Sequence, residues 1–230
     1  MKNVGIILAA GKGSRFKSRK QKIFLRVKNK TLVDHAINKL KKLGLEVNVI
    51  INKKNRKNFI QKDCNFLYQN KPLGTGHAIK VFLKTRPKFK KCLVMNADTP
   101  FIHLNDIKKT LKEVNYSNLS VLSYIEKKNL SNGVFIEVKR NKFIIKEYKL
   151  LNNKEKKNSL CNSGLIAFDK KISKEFFNIR RNLKKNEYLI TDILKIISNK
   201  KYKTKIIKAK YPRLCKGINT ILDFKNLKKI

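Results

Sequence analysis

Acidic residues are scarce in this sequence. In 230 residues, 15 Asp and Glu stand against 57 Lys and Arg, a formal net charge of +42 at neutral pH. A field of that size draws in polyphosphates over long range, which is the footprint of a nucleic-acid-binding protein. Lysine far outnumbers arginine, however, Asn and Ile are also abundant, and the basic residues run along the whole chain with no basic arm or tail. That pattern fits the compositional bias of an AT-rich genome better than a nucleic-acid surface, although the field still helps to gather anionic nucleotides. Cysteine is equally sparse: Cys64, Cys92, Cys161 and Cys215 lie far apart with no CxxC pair. Metal-ligand spacing is therefore absent, and a disulfide framework belongs to much smaller chains. Cys92 lies in the apolar run Cys92-Leu93-Val94-Met95 and reads as a buried small hydrophobe. His35, His77 and His103 form no local cluster. No stretch approaches membrane-spanning length. The apolar residues after Lys2 run straight into Gly11-Lys12-Gly13-Ser14-Arg15, so they read as a buried first strand and not as a signal peptide. A soluble, cytoplasmic protein is expected.

What is present is the patterning of an α/β fold. At 230 residues with 41% apolar content, residues 1–230 suit a single large domain. Apolar β-rich runs at residues 4–9, 47–51, 66–68 and 92–95 alternate with helical patterns at 32–43, 76–84 and 107–114, the first of these helices carrying Leu32, Ala36, Ile37 and Leu40 on one face. Such βαβ alternation predicts a mainly parallel, Rossmann-like sheet. From residue 119 the pattern changes. Strands are expected at 119–125, 134–138 and 143–148, the last two paired as a hairpin, with a further strand at 165–168. Helices at 174–181 and 190–198, a strand at 205–209 and a helix beginning near Thr220 complete the chain. The second half thus inserts antiparallel structure into the sheet.

In a parallel α/β sheet the functional site lies beyond the C-terminal strand ends, and three segments fall there. Leu8-Ala9-Ala10-Gly11-Lys12-Gly13-Ser14-Arg15 follows the first strand. Its glycines let backbone N–H groups approach a phosphate, and Lys12 and Arg15 supply counter-charge. It is neither a P-loop, since no Gly-Lys-Ser/Thr closes it, nor a GxGxxG dinucleotide loop. Asn96-Ala97-Asp98-Thr99-Pro100 follows the strand at 92–95. A carboxylate there suits Mg²⁺, which takes one or two carboxylates plus phosphate oxygens; it equally suits a turn or helix cap. Gln69, followed by Leu73-Gly74-Thr75-Gly76-His77-Ala78, opens a helix whose backbone can meet a base or a phosphate. His77 reads as a structural histidine at the helix start, and Thr191 with Asp192 as an N-capping pair or a contact between elements.

Together these segments resemble the sugar-nucleotide pyrophosphorylases. The loop from Leu8 to Arg15, with Lys22 seven residues on, is similar to that family's signature, and Gln69 with the Gly74-Thr75-Gly76-His77-Ala78 run resembles the uridyltransferase domain of N-acetylglucosamine-1-phosphate uridyltransferases. The resemblance runs from Val4 to the end of the chain. Its later marks are Gly133, Glu147, Asn162-Ser163-Gly164, Glu187-Tyr188-Leu189-Ile190-Thr191-Asp192 and Gly217-Ile218-Asn219. Departures are Gln21 in place of the proline that usually precedes the lysine, Asn96-Ala97-Asp98 in place of a Tyr-Gly-Asp, and Ser131-Asn132-Gly133-Val134 in place of Gly-Tyr-Gly-Arg.

The resemblance implies a nucleotide-diphospho-sugar transferase fold and a Mg²⁺-dependent transfer from UTP to N-acetylglucosamine 1-phosphate, supplying precursors of cell-wall or lipopolysaccharide synthesis. Leu8, Ala9, Ala10, Gly11, Gln69, Gly74, Thr75 and Asn96 would hold the uridine nucleotide. Arg15 and Lys22 would neutralise the triphosphate and the charge developing at the α-phosphorus. Asp98 and Asn219 would ligate Mg²⁺, and Gly133, Glu147 and Asn162, beside Asn219, would bind the amino-sugar. The family's second domain, a left-handed β-helix with acetyltransferase activity and a trimer interface, is not expected in these 230 residues. A monomer or weak homo-oligomer is therefore expected, with acetyl transfer left to a separate acetyltransferase, and neither a membrane nor a specific nucleic acid as partner. Two rivals stand beside this reading: a nucleotidyltransferase using CTP or dTTP with another sugar or alcohol phosphate, and a non-catalytic basic module that binds nucleic acid with steep salt dependence.

Overall fold

A computed structural model of the chain describes residues 1–11, 16, 21–59, 63–125, 133–139, 142–157 and 159–227. The first half comprises β1 (Val4–Leu8), a short hairpin of β2 (Arg26–Val27) and β3 (Lys30–Thr31), α1 (Leu32–Lys41), β4 (Glu46–Ile51), β5 (Asn65–Tyr68), α2 (Thr75–Lys84), β6 (Lys91–Asn96) and α3 (Leu104–Glu113). The second half adds β7 (Leu119–Ile125), β8 (Gly133–Lys139), β9 (Lys142–Glu147), α4 (Asn153–Lys157), β10 (Leu160–Asp169), α5 (Ile193–Ser198), β11 (Thr204–Lys208) and α6 (Ile221–Leu227).

Among the described residues, nine strands form one sheet along the path β11-β7-β10-β6-β1-β4-β5, with the β8–β9 hairpin attached to β10. β1 runs parallel to both β4 and β6, β4 to β5, and β11 to β7, whereas β10 is antiparallel to β6 and β7. The expected Rossmann-like, mainly parallel sheet with an antiparallel insertion is what the chain forms. Strand order reverses at β1. The chain moves outward through β4 and β5, then returns through α2 to β6 on the other side of β1. Such a reversal opens a crevice at the C-terminal strand ends, because successive connections leave in opposite directions.

The strands alternate strictly between two cores. Ile7, Val49, Ile51, Leu93 and Met95 face α1 and α3, packing on Val33, Ala36, Ile37, Leu40 and Ile107. Val4, Ile6, Ile50, Cys92 and Val94 face α2 and α5, packing on Ile79, Phe82, Ile193 and Ile197. Burial on both faces explains why these strands read as mainly apolar runs, with Asn48 in β4 a buried exception. Each large apolar side chain so enclosed contributes about 1.5–3 kcal/mol relative to exposure. At α1, Thr31 and Asp34 form a reciprocal capping box.

Two expected elements differ. The helix read at 174–181 is a 3-10 helix over Lys170–Asn178, started when the Asp169 side chain accepts from the Ile172 N–H. The helix read at 190–198 begins as a 3-10 turn at Ile190–Asp192 before α5. Asp192 does not cap α5. Its backbone is already helical (φ −67°, ψ −14°), and a capping side chain acts from extended backbone. Burial raises its carboxyl pKa above the usual carboxylate range.

Candidate active site

A cleft of about 530 Å³ opens at the strand-order reversal, within the range typical of ligand sites. Its floor is the end of β1. The ladder continues one residue past the strand, as the Ala9 N–H donates to Ile50 O and the Ala97 N–H donates to Leu8 O. Leu8, Ala9, Ala10 and Gly11 thus become the lining between two parallel strands. Beyond Gly11, Lys12 to Arg15 lie outside the described residues, and so does Ser131-Asn132.

On one side of the floor, β6 ends at Asn96 in a tight turn, with the N–H and hydroxyl of Thr99 both donating to Asn96 O. The Ile218 N–H donates to Asp98 O (2.9 Å), which ties the chain near the C-terminus to this turn. Asn219 is held in turn by Asp223, whose carboxylate accepts from the Asn219 and Thr220 N–H groups. Lys22 arrives from the opposite side on a 3-10 turn, Lys22–Phe24, anchored by the buried Ile23. Gln21 before it has φ −62°, the value proline would impose, and its side chain accepts from Asn55 Nδ2 (2.9 Å).

Three oxygens gather around one cation. Lys22 Nζ lies 2.6 Å from Asp98 Oδ2, 3.1 Å from Ile218 O and 3.4 Å from Asn219 Oδ1. Carboxylate, amide and backbone oxygens are the hard donors that Mg²⁺ takes, and this set fits that ion. Among the described residues no group of three or more His, Cys, Asp or Glu side chains comes together. A metal here would accordingly complete its shell with phosphate oxygens and water rather than with further carboxylates.

The opposite wall is the start of α2. Gly74 has φ +94°, and a Cβ there would lie 2.6 Å from Tyr188 O. Gly76 N–H donates to the same carbonyl, Tyr188 N–H donates to Leu73 O, and Ile190 N–H donates to Thr75 Oγ1. The helix start is therefore clamped to the segment around Tyr188. Gln69, at the end of β5, is buried on this wall; its Nε2 donates to Gly74 O (3.0 Å) and to His77 Nδ1 (2.9 Å). His77, read as a helix-start structural residue, touches the proposed base-reading side chain.

Gly133, Glu147 and Asn162 do not line the cleft itself but stand next to it. Gly133 pairs with Glu147 across the β8–β9 hairpin, and Cys161 pairs with Val134, which places Asn162 beside them. A bulge interrupts β10 between Asn162 and Ile166. There the Gly164 N–H donates to Asn162 Oδ1 (2.9 Å), and Gly164 abuts the cleft residue Asn96. Gly164 has φ +79°, and a Cβ would fall 2.3 Å from Asn96 Nδ2. Gly164→Ala is expected to lower thermal stability by about 2 kcal/mol, or about 4–8 °C in Tm. An unchanged melting curve would mean that the bulge relaxes without strain.

The sequence reading missed Lys185, Asn186 and Glu187 as cleft-lining residues. Lys185 Nζ pairs with Glu147 Oε1 at 3.0 Å, joining the cleft rim to the hairpin. In a chain with 57 Lys and Arg, one more lysine carries no signal. Glu187 had a signal in the run that ends at Asp192, but nothing in that run says which of its residues faces a ligand.

The family model for the MobA-like NTP transferase domain matches residues 5–154, which carry most of this cleft. The chain belongs to the MobA-like NTP transferase family. This transferase is 30% identical over 232 residues to the bifunctional protein GlmU of Buchnera aphidicola subsp. Baizongia pistaciae, covering 98% of this chain and 51% of that protein. It spans about half the length of the curated relatives it matches. Among solved structures its fold is similar to a nucleoside-diphosphate-sugar pyrophosphorylase from Vibrio cholerae RC9 (TM-score 0.71, 16% identity, 99% of this chain and 100% of that one). The inositol-1-phosphate CTP transferase from T. maritima shares the fold as well (TM-score 0.70, 15% identity, 97% and 91%). The chain is thus a nucleotidyltransferase. Among its described residues, no helix is long and apolar enough to cross a membrane.

Proposed function

We propose that this transferase moves a uridylyl group from UTP to N-acetylglucosamine 1-phosphate, giving UDP-N-acetylglucosamine and pyrophosphate. The observation that carries the reading is the convergence in one cleft of the Leu8–Gly11 floor, the Lys22, Asp98 and Asn219 cluster, and the Gln69, Gly74 and Thr75 wall. The match along the GlmU half supports the choice of base and sugar.

In the reaction, an oxygen of the sugar phosphate attacks the α-phosphorus of UTP. A new P–O bond forms as the bond to the β-phosphate bridging oxygen breaks, and pyrophosphate leaves. The attacking phosphate is already ionised at neutral pH, so no general base is needed. The floor holds the nucleotide, the Gly74–Thr75 backbone and Gln69 meet the base, and Lys22 offsets charge that builds up on the α-phosphoryl oxygens. Asp98 and Asn219 would hold Mg²⁺, which when bound neutralises phosphate charge. Glu147 and Asn162 accept and orient the sugar hydroxyl and amide groups beside the cleft.

One screen tests this proposal: pyrophosphate release from each of UTP, CTP, dTTP, ATP and GTP with a panel of sugar and alcohol phosphates in the presence of Mg²⁺. Release confined to UTP with N-acetylglucosamine 1-phosphate is the expected result. CTP is included because a CTP transferase shares the fold, and a preference for it, or for another acceptor, would replace the assignment.

A further inference from the structure

We propose that His77 is a positioning residue for base selectivity: it locks the amide of Gln69 so that only an acceptor, Oε1, is presented to the base. The inference rests on the proposed use of UTP. Its starting point is the paired bonds from one nitrogen. Gly74 O can only accept, so the atom of Gln69 facing it at 3.0 Å is the amide nitrogen. The same nitrogen lies 2.9 Å from His77 Nδ1, so its second hydrogen is directed at the ring and Nδ1 carries the lone pair. His77 is thereby fixed as the neutral tautomer with its proton on Nε2. The surroundings favour that form: burial, and then the charges of Lys84 and Lys80, lower the His77 pKa below the usual histidine value.

Helix geometry explains why the two acceptors coincide. Gly74 and His77 are three residues apart at the start of α2, so the Gly74 carbonyl and the His77 side chain share one face. The ring is kept in place from the far side by Tyr188, whose ring centroid lies 6.0 Å away, and Lys80 sits over that tyrosine. With both amide hydrogens engaged by protein, turning the amide over would break two hydrogen bonds, set oxygen against the Gly74 carbonyl and require His77 to move its proton to Nδ1. The lock matters for discrimination between pyrimidines. Oε1 can accept from the N3–H of uracil. Cytosine in the same pose offers a bare N3 lone pair, which is repelled by Oε1 and welcomed by an amide NH₂. An enzyme whose Gln69 can turn over therefore tolerates CTP.

The test separates the acceptor from the ring. His77→Phe keeps an aromatic ring against Tyr188 and removes the acceptor; His77→Asn removes the ring and keeps an acceptor near Nδ1. The readout is the ratio of kcat/KM for UTP over CTP, with thermal melting as a check of folding. The phenylalanine variant is expected to lose about fivefold or more of the ratio, the effect of one hydrogen bond, and the asparagine variant to stay within about twofold. If the phenylalanine variant does not fold, His77→Leu takes its place. Retention of the ratio without the acceptor, or equal loss in both variants, overturns the proposal. If the wild type prefers a triphosphate other than UTP, the uridylyl reading fails. The same variants are then compared using the preferred triphosphate against its amino- or keto-substituted counterpart, and that ratio still decides whether His77 sets selectivity.

Discussion

Lys22→Ala is expected to lower kcat by on the order of a hundredfold or more while leaving the KM for UTP much less changed. The reasoning is that of a charge used mainly in the transition state. The Lys22 ammonium lies in the cluster with Asp98 and Asn219, at the edge of the floor that would carry the triphosphate. As the bond to pyrophosphate breaks, negative charge shifts onto oxygens near it, and a cation fixed there stabilises that arrangement more than the ground state. The turn that carries it is held by the buried Ile23 and by the Gln21–Asn55 hydrogen bond, so the position is set before substrate arrives. Steady-state pyrophosphate release by the purified variant decides the matter. A kcat within tenfold of wild type would remove Lys22 from the reacting phosphate, and a change confined to KM would make it a binding residue only.

Asp98→Ala is expected to abolish Mg²⁺-dependent turnover and to weaken binding of Mn²⁺, used as a paramagnetic substitute, to the protein with nucleotide. Asp98 supplies the one full negative charge in the cluster around Lys22 Nζ, the other two oxygens being neutral carbonyls. Losing it leaves too little charge to hold a divalent cation against water. The backbone should survive the change, because the turn is held by Thr99 and by the Ile218 N–H on Asp98 O, neither of which uses the carboxylate. Electron paramagnetic resonance of free Mn²⁺ reads the binding directly. Mn²⁺ affinity and turnover both near wild type would exclude Asp98 as a ligand. Lost turnover with unchanged affinity would assign it to holding Lys22 in place.

Much of this architecture was legible in the order of residues, for identifiable reasons. β1, β4 and β6 are buried on both faces, so their apolar runs stand out, broken inside the strands only by the buried Asn48 of β4. α1 and α2 show their buried faces at helical spacing. The small β2–β3 hairpin was not legible. Its turn needs positive φ at Lys28 and Asn29, and a Lys-Asn pair is too common in this chain to mark it. The opening stretch of β10 also escaped, because the Asn162-Ser163-Gly164 bulge interrupts its alternation with polar residues and a left-handed glycine.

The sequence by itself determined the fold class and, through its resemblance to a family, the kind of reaction, since these depend on local spacing and on short motifs whose chemistry is carried by the residues themselves. Only the tertiary structure decided which groups meet. Lys22 reaches Asp98 across 76 positions and Asn219 across 197. Lys185 reaches Glu147, and Gln69 reaches His77 around the turn between β5 and α2. Those pairings follow from how the parallel strands reverse order at β1 and bring distant loops to one end of the sheet, a geometry that no local stretch of the chain encodes.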